Sequence, residues 1–220
     1  MQRQQLKTDP WPEKQTALAL AMQQRPSYQH FASSLLLLGL AMGVFLLSVQ
    51  MSLAEPRKAS ERTYAWLPWF IQPCEDYNVP LALALAIARQ ESGTRPWVIN
   101  VAGKDFSPKS PEEALAIAAE AKRAGKSFDV GIMQVNSYWL KKYHIDLREI
   151  LDPQKNIAMG VWILAREIKR YGLTWQAIGA YHTPLARNPD RAKRYAATVL
   201  THMRAICDRD AARRALATPP

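Results

Sequence analysis

Eight apolar residues, 81–88 (LALALAIA), follow Asn78-Val79-Pro80 and give way to Arg89, Gln90, Glu91 and Ser92-Gly93. The Leu-Ala alternation has the period of a strand, but Ala is the best helix former and a poor strand former, and Pro80 suits a first helical turn. The stretch therefore predicts a helix. Leu81, Leu85 and Ala88 share one face, and Leu83 and Ile87 broaden it until the helix is apolar nearly all round. Such a helix has no face to give to water, so the remaining elements must be built around it. Gly93 and Pro96 stop it just after Glu91, which places a carboxylate in the last turn, at the negative end of the helix dipole and beside an apolar wall. Both effects disfavour the charged form and keep the acid protonated, as a general acid must be. The bland alternative is a surface glutamate at a helix end.

The punctuation from residue 61 onward is that of a mostly helical domain. Residues 63–77 carry apolar side chains at helical spacing. Ser110-Pro111 with Glu113 gives an N-cap, a proline at the first helical position and a capping-box partner, opening a helix that ends at Lys122-Arg123 before Gly125. Asp152-Pro153 opens another, closed at Tyr171 by Gly172; Thr174 caps a helix from Trp175 to about Tyr181; Asn188-Pro189 opens a last one to about Cys207. Between them, 97–103 (WVINVAG) and 127–131 (SFDVG) are short enough to pair as a small ribbon.

The net charge is +10, and residues 1–54 supply only four Lys/Arg against two Asp/Glu, leaving 25 against 17 for the rest. The basic character thus belongs to the main domain and suits an anionic polymer. No zinc-finger spacing, phosphate-binding glycine loop or aromatic-studded basic stretch accompanies it, so nucleic acid is not the expected partner. Residues 31–54 (FASSLLLLGLAMGVFLLSVQMSLA) carry no charge, with Arg25 and His30 just before them. The run is read as a signal-peptide core ending in the small-x-small pattern of Ser52 and Ala54, or as a retained membrane anchor; in both cases more positive charge precedes it than follows closely, which sends the following residues out of the cytoplasm. The organisation expected is a polar leader over 1–30, the signal or anchor over 31–54, a domain over 61–207 and a tail over 208–220. The two cysteines, Cys74 and Cys207, lie at opposite ends of the domain. In an oxidising compartment they are expected to form one disulfide tying the first helix to the last, the alternative being two buried thiols. His30, His144, His182 and His202 lack ligand spacing, and no metal or cofactor is expected.

Four blocks, ARQESGTRPWVIN, DVGIMQVNSYWL, LDPQKNIAMGVWIL and YGLTWQAIGAYHT, occur in this order over roughly residues 65–205. Together they resemble lytic transglycosylases of the soluble-transglycosylase, goose-lysozyme-like type, most closely the small members that accompany conjugation and secretion machines. The resemblance implies a mostly α, lysozyme-like domain in the periplasm. It would cut peptidoglycan glycan strands between N-acetylmuramic acid and N-acetylglucosamine, leaving a 1,6-anhydro end, in partnership with an envelope-spanning secretion or conjugation apparatus. It also assigns residues. Glu91 matches the catalytic acid/base, and Ser92 the neighbouring hydroxyl that helps bind the sugar N-acetyl group. Gly131, Met133, Gln134 and Asn136 match the block lining the cleft, and Tyr181 matches a tyrosine whose hydroxyl lies near the carboxylate.

Cleavage with water usually takes two carboxylates, whereas attack by the muramyl C6 hydroxyl needs no water-activating base and one carboxyl suffices. Asp129 is the carboxylate nearest a motif; it is expected to hydrogen-bond loop backbone, and a catalytic role for it would indicate a hydrolysing muramidase. A non-catalytic wall-binding scaffold is the reading from a different class, and the retention of Glu91, Gln134, Asn136 and Tyr181 argues against it. Two departures stand out. Gln154 occupies the place where small relatives commonly carry a cysteine, leaving Cys207 as the partner for Cys74. His182 replaces the asparagine of the last block, where it would contact the glycan, reach Glu91 through water or make a structural hydrogen bond.

Overall fold

The computed structural model describes residues 65–217, with side chains to residue 211. The 1–30 leader and the 31–54 segment lie outside the described residues, among which no helix is long and apolar enough to cross a membrane. The domain is mostly helical. Its first helices are α1 (Leu67–Asp76) and α2 (Leu81–Ser92), followed by β1 (Ile99–Val101), β2 (Lys104–Phe106) and α3 (Pro111–Arg123). Then come β3 (Phe128–Val130), β4 (Val135–Asn136), α4 (Ser137–Tyr143), α5 (Leu147–Ile150), α6 (Pro153–Tyr171), α7 (Trp175–His182) and α8 (Pro189–Ala217).

The apolar helix is central, as its sequence requires. Leu83 through Ala88 are all buried, and α2 packs against both α1 and α8, while α6 packs on α1 and α7. Leu83, Leu85 and Ile87 are at most 2% exposed, each contributing about 1.5–3 kcal/mol by burial. The proline and cap signals hold at the helix starts. Ser110 accepts from Glu113 N–H, Asp152 from Lys155 N–H, and Asn188 from Arg191 N–H. The Glu113 carboxylate reaches back to Lys109 N–H, one residue before the cap. Thr174 makes no capping bond; its hydroxyl donates instead to Tyr171 O. The last helix does not stop near Cys207 but continues to Ala217.

The expected ribbon forms within a larger sheet. Its strands are antiparallel in the order β2-β1-β3-β4, with Asn100 opposite both Asp105 and Asp129, and Asp129 opposite Asn136. α3 covers β1 and β3. Helix α2 thus ends where the helices meet this sheet, and the segment between β3 and β4 is brought to Glu91.

The expected disulfide is not formed. Cys74 is a buried thiol on α1, and burial, with the neighbouring Glu75 charge, pushes its pKa up to about 12. The two cysteines are carried by helices that share α2 as a neighbour: α1 packs on α2 and α6, whereas α8, bearing Cys207, packs on α2 and α7. Distance along the sequence suggested a tie between first and last helix, but each of these helices packs on α2 and on a different further helix.

Candidate functional site

Glu91 lies one residue before the end of α2, and its side chain is only 12% exposed. Its Oε1 accepts a 2.6 Å hydrogen bond from the hydroxyl of Tyr195 on α8. Oε2 accepts none from any described residue and yet is not sealed from solvent, so it is the oxygen left for a ligand. Burial pushes the Glu91 pKa up to about 8; the Tyr195 hydrogen bond opposes that rise, and the like charge of Asp129 adds to it. A carboxyl in this state is protonated at neutral pH and can donate. Having donated, it remains a carboxylate supported by the phenol.

Residues 131–134 make the turn that faces it. Gly131 has φ +84°, and a Cβ there would sit 2.3 Å from the Asn156 amide nitrogen, so only glycine lets the backbone approach that side chain. Gln134 is itself left-handed at φ +45°, and its amide group donates to Val98 O at 2.8 Å and Gly131 O at 2.9 Å. Asn156, fully buried on α6, ties the turn together. Its Oδ1 accepts from Met133 N–H at 2.8 Å, and its Nδ2 donates to Val130 O at 2.9 Å and Ile150 O at 3.1 Å. The sequence reading missed Asn156, which looks like an ordinary polar residue in the first turn of a helix.

Several expected site residues serve this framework. Ser92 is 2% exposed, and its hydroxyl donates to Ile132 O at 2.8 Å, stapling α2 to the turn. Its hydroxyl is thus engaged with the turn, whereas the resemblance implies contact with the sugar N-acetyl group. Met133 is fully buried against Gly160, and Gly131 is buried too, so they shape the turn from within rather than line a cleft with side chains. Asn136 caps α4 through Tyr138 N–H and donates to Asp129 Oδ1 at 2.7 Å. Asp129 was expected to bond loop backbone; its partner is this amide, and burial raises its pKa while the Asn136 bond opposes the shift.

Tyr181, on α7, donates to Met133 O at 2.7 Å. It is close enough to Glu91 for that charge to add to the rise in its pKa that burial causes, but the phenol hydrogen-bonded to the carboxylate is Tyr195. Tyr195 lies beyond the last sequence block, on a helix where an aromatic reads as core, and nothing local marks it. His182 ends α7 with its ring parallel to that of Tyr195, the centroids 4.6 Å apart and the planes 4° apart. Its Nδ1 stands 3.9 Å from Glu91 Oε1. Burial and Arg191 lower the His182 pKa while that of Glu91 is raised, so the two face each other as neutral groups and not as an ion pair.

A separate groove of about 420 Å³, lined by Tyr77, Tyr143, Lys155 and Trp162 among others, contains none of these residues. Among the described residues no cluster of three or more His, Cys, Asp or Glu could hold a metal ion.

Residues 68–203 match the family model of the transglycosylase SLT domain. The invasion protein IagB of Salmonella typhi is 31% identical over 147 residues, covering 64% of this chain and 79% of its own. The type IV secretion system protein virB1 of Brucella abortus is 39% identical over 95 residues, 42% of this chain and 40% of its own. A peptidoglycan-binding-like protein of Escherichia coli O157:H7 is 40% identical over 74 residues, 31% of this chain and 44% of its own. No solved structure gives a significant match. The mostly helical architecture with its small antiparallel sheet, the four ordered blocks and a family match over more than half its length place this chain in the transglycosylase SLT family.

Proposed function

We propose that this protein is a peptidoglycan lytic transglycosylase that cleaves the β-1,4 bond between N-acetylmuramic acid and N-acetylglucosamine and leaves 1,6-anhydro-muramyl ends. The observation that carries this reading is the buried carboxyl of Glu91, with one oxygen held by Tyr195, the other open, and a pKa raised to about 8. Glu91 protonates the leaving oxygen as the C1–O bond breaks. The resulting carboxylate, steadied by the Tyr195 hydroxyl, then takes the proton of the muramyl C6 hydroxyl as that oxygen closes on C1. One group serves as acid and then base, and the nucleophile is supplied by the substrate, so proximity replaces a second carboxylate. Asp129 engages Asn136 and raises the Glu91 pKa by its charge, which fits a supporting electrostatic part.

The basic domain complements an anionic wall, and the similarity to an invasion protein and a type IV secretion system protein supports local wall remodelling for an envelope-spanning apparatus. Export to the periplasm by the 31–54 segment, as a cleaved signal or retained anchor, completes the proposal. Mass spectrometry of the muropeptides released from purified sacculi tests it, with Glu91→Gln as control. Anhydro-muramyl ends that disappear in the variant are expected. Reducing ends would instead establish a hydrolysing muramidase and turn attention to Asp129, and digestion by Glu91→Gln equal to wild type would remove Glu91 from the chemistry.

A further inference from the structure

His182 stands where the resemblance implies asparagine, which has no aromatic ring to stack as the imidazole does here. The imidazole lies parallel on the Tyr195 ring at 4.6 Å, within the range of favourable aromatic stacking, and the Tyr195 hydroxyl holds Glu91 Oε1 at 2.6 Å. The register of this contact is built into the helices. Gly179 and Ala192 mark the closest approach of α7 and α8, since a Cβ on Gly179 would lie 2.6 Å from Ala192 O; His182 and Tyr195 each follow three residues later, one turn beyond that crossing. Three helices therefore meet through three side chains: His182 of α7 on Tyr195 of α8, and Tyr195 on Glu91 of α2.

We propose that His182 is a positioning residue of the site: its ring, stacked on Tyr195, fixes the phenol in the orientation that pins Glu91 Oε1 and leaves Oε2 to meet the scissile oxygen. The inference rests on the transglycosylase reading for its effect on rate but not for its effect on geometry. His182 acts through its face rather than its nitrogens, because Nδ1 is 3.9 Å from Oε1, beyond hydrogen-bond distance. The charged and titratable groups around it are Glu91 from α2, and Tyr195 and Arg191 from α8; burial, with the Arg191 charge, favours the neutral imidazole. The His182 side chain is 30% exposed.

The test separates ring from nitrogen. On soluble uncrosslinked glycan strands, His182→Phe is expected to keep kcat within about twofold of wild type, while His182→Asn and His182→Ala lose roughly 3- to 10-fold, the range set by one aromatic stack. KM should stay within about twofold for all three, because the bound ground state is not what the stack controls. A readout independent of turnover accompanies this. The Tyr195 hydroxyl proton, locked in a short bond to a carboxyl oxygen, should give a slowly exchanging downfield NMR resonance in wild type and His182→Phe that broadens away in His182→Ala. Should the alanine variant fail to fold, His182→Leu, apolar but not planar, replaces it in the same comparison. A phenylalanine variant as impaired as alanine, or an alanine variant with wild-type kcat and an unchanged hydroxyl resonance, overturns the proposal. If wild type itself releases no anhydro ends, the transglycosylase reading fails, and the resonance still decides the stacking.

Discussion

Glu91→Gln should make this protein more stable at neutral pH while silencing it. The Glu91 pKa is about 8 in the fold against an ordinary glutamate value of 4.5, so the folded state holds a proton that the unfolded chain releases between these limits. Below pH 4.5 both states are protonated and Glu91 costs nothing. As the pH rises the unfolded state alone ionises, and stability is lost progressively until the folded carboxyl also ionises near pH 8. At pH 7 the interval of about 2.5 pH units corresponds to roughly 3 kcal/mol, and above pH 8 the full interval corresponds to about 5 kcal/mol. Glutamine is an isostere that keeps an oxygen for Tyr195 and never ionises, so it removes this penalty. Urea titrations of wild type and variant, followed by tryptophan fluorescence, should coincide near pH 4 and separate by about 3 kcal/mol at pH 7, or roughly 6–12 °C in Tm. Titrating groups that do not interact with Glu91 cancel in the difference. A gap that does not depend on pH, or a variant less stable than wild type at pH 7, would refute the account of Glu91 as a carboxyl protonated by burial. The expected pairing of higher stability with lost activity is the signature of a site held against its own stability.

Tyr195→Phe removes the hydrogen bond that opposes the rise in the Glu91 pKa, so the basic limb of the activity profile should move upward and kcat should fall by roughly 10- to 100-fold, measured as anhydro-muropeptide release across pH. Asn156→Ala leaves Met133 N–H and the carbonyls of Val130 and Ile150 without their partner, and should lower unfolding free energy by about 3–6 kcal/mol in urea titrations; a loss under 1 kcal/mol would mean that water replaces the amide. Gly131→Ala meets the same side chain at 2.3 Å with a left-handed backbone, and should lose stability by about 2 kcal/mol or more along with activity. Cys74, with its pKa pushed up to about 12, should resist a maleimide in the native protein at pH 7.5 and react once the chain is denatured without reductant; failure to react then would restore the disulfide.

What could be read from the sequence was what is local. Pro80, Pro111, Pro153 and Pro189 each mark a helix start, and Gly93 and Gly172 mark ends, because these residues constrain their own backbone. The burial of α2 followed from having no polar face. What escaped depended on which helices meet. Tyr195 was indistinguishable from a core tyrosine until α8 was laid against α2, and Asn156 until α6 was laid against the 131–134 turn. The disulfide failed for the same reason, since cysteine spacing does not say which helices pack together. The extension of α8 to Ala217 did leave a signal: residues 211–217 are Ala, Arg and Leu, strong helix formers.

The three bonds made by Asn156 also bear on how the site works. One side chain satisfies backbone groups from β3, from the turn itself and from the end of α5, so none of the three segments can shift without orphaning a polar group of another. With Ser92 and Tyr181 also bonded to the carbonyls of Ile132 and Met133, the turn opposite Glu91 is immobilised before any glycan arrives. Reorganisation that solution chemistry would require at each turnover is thus completed once, during folding. On the function proposed above, a glycan strand entering this site meets a turn whose polar groups are already satisfied.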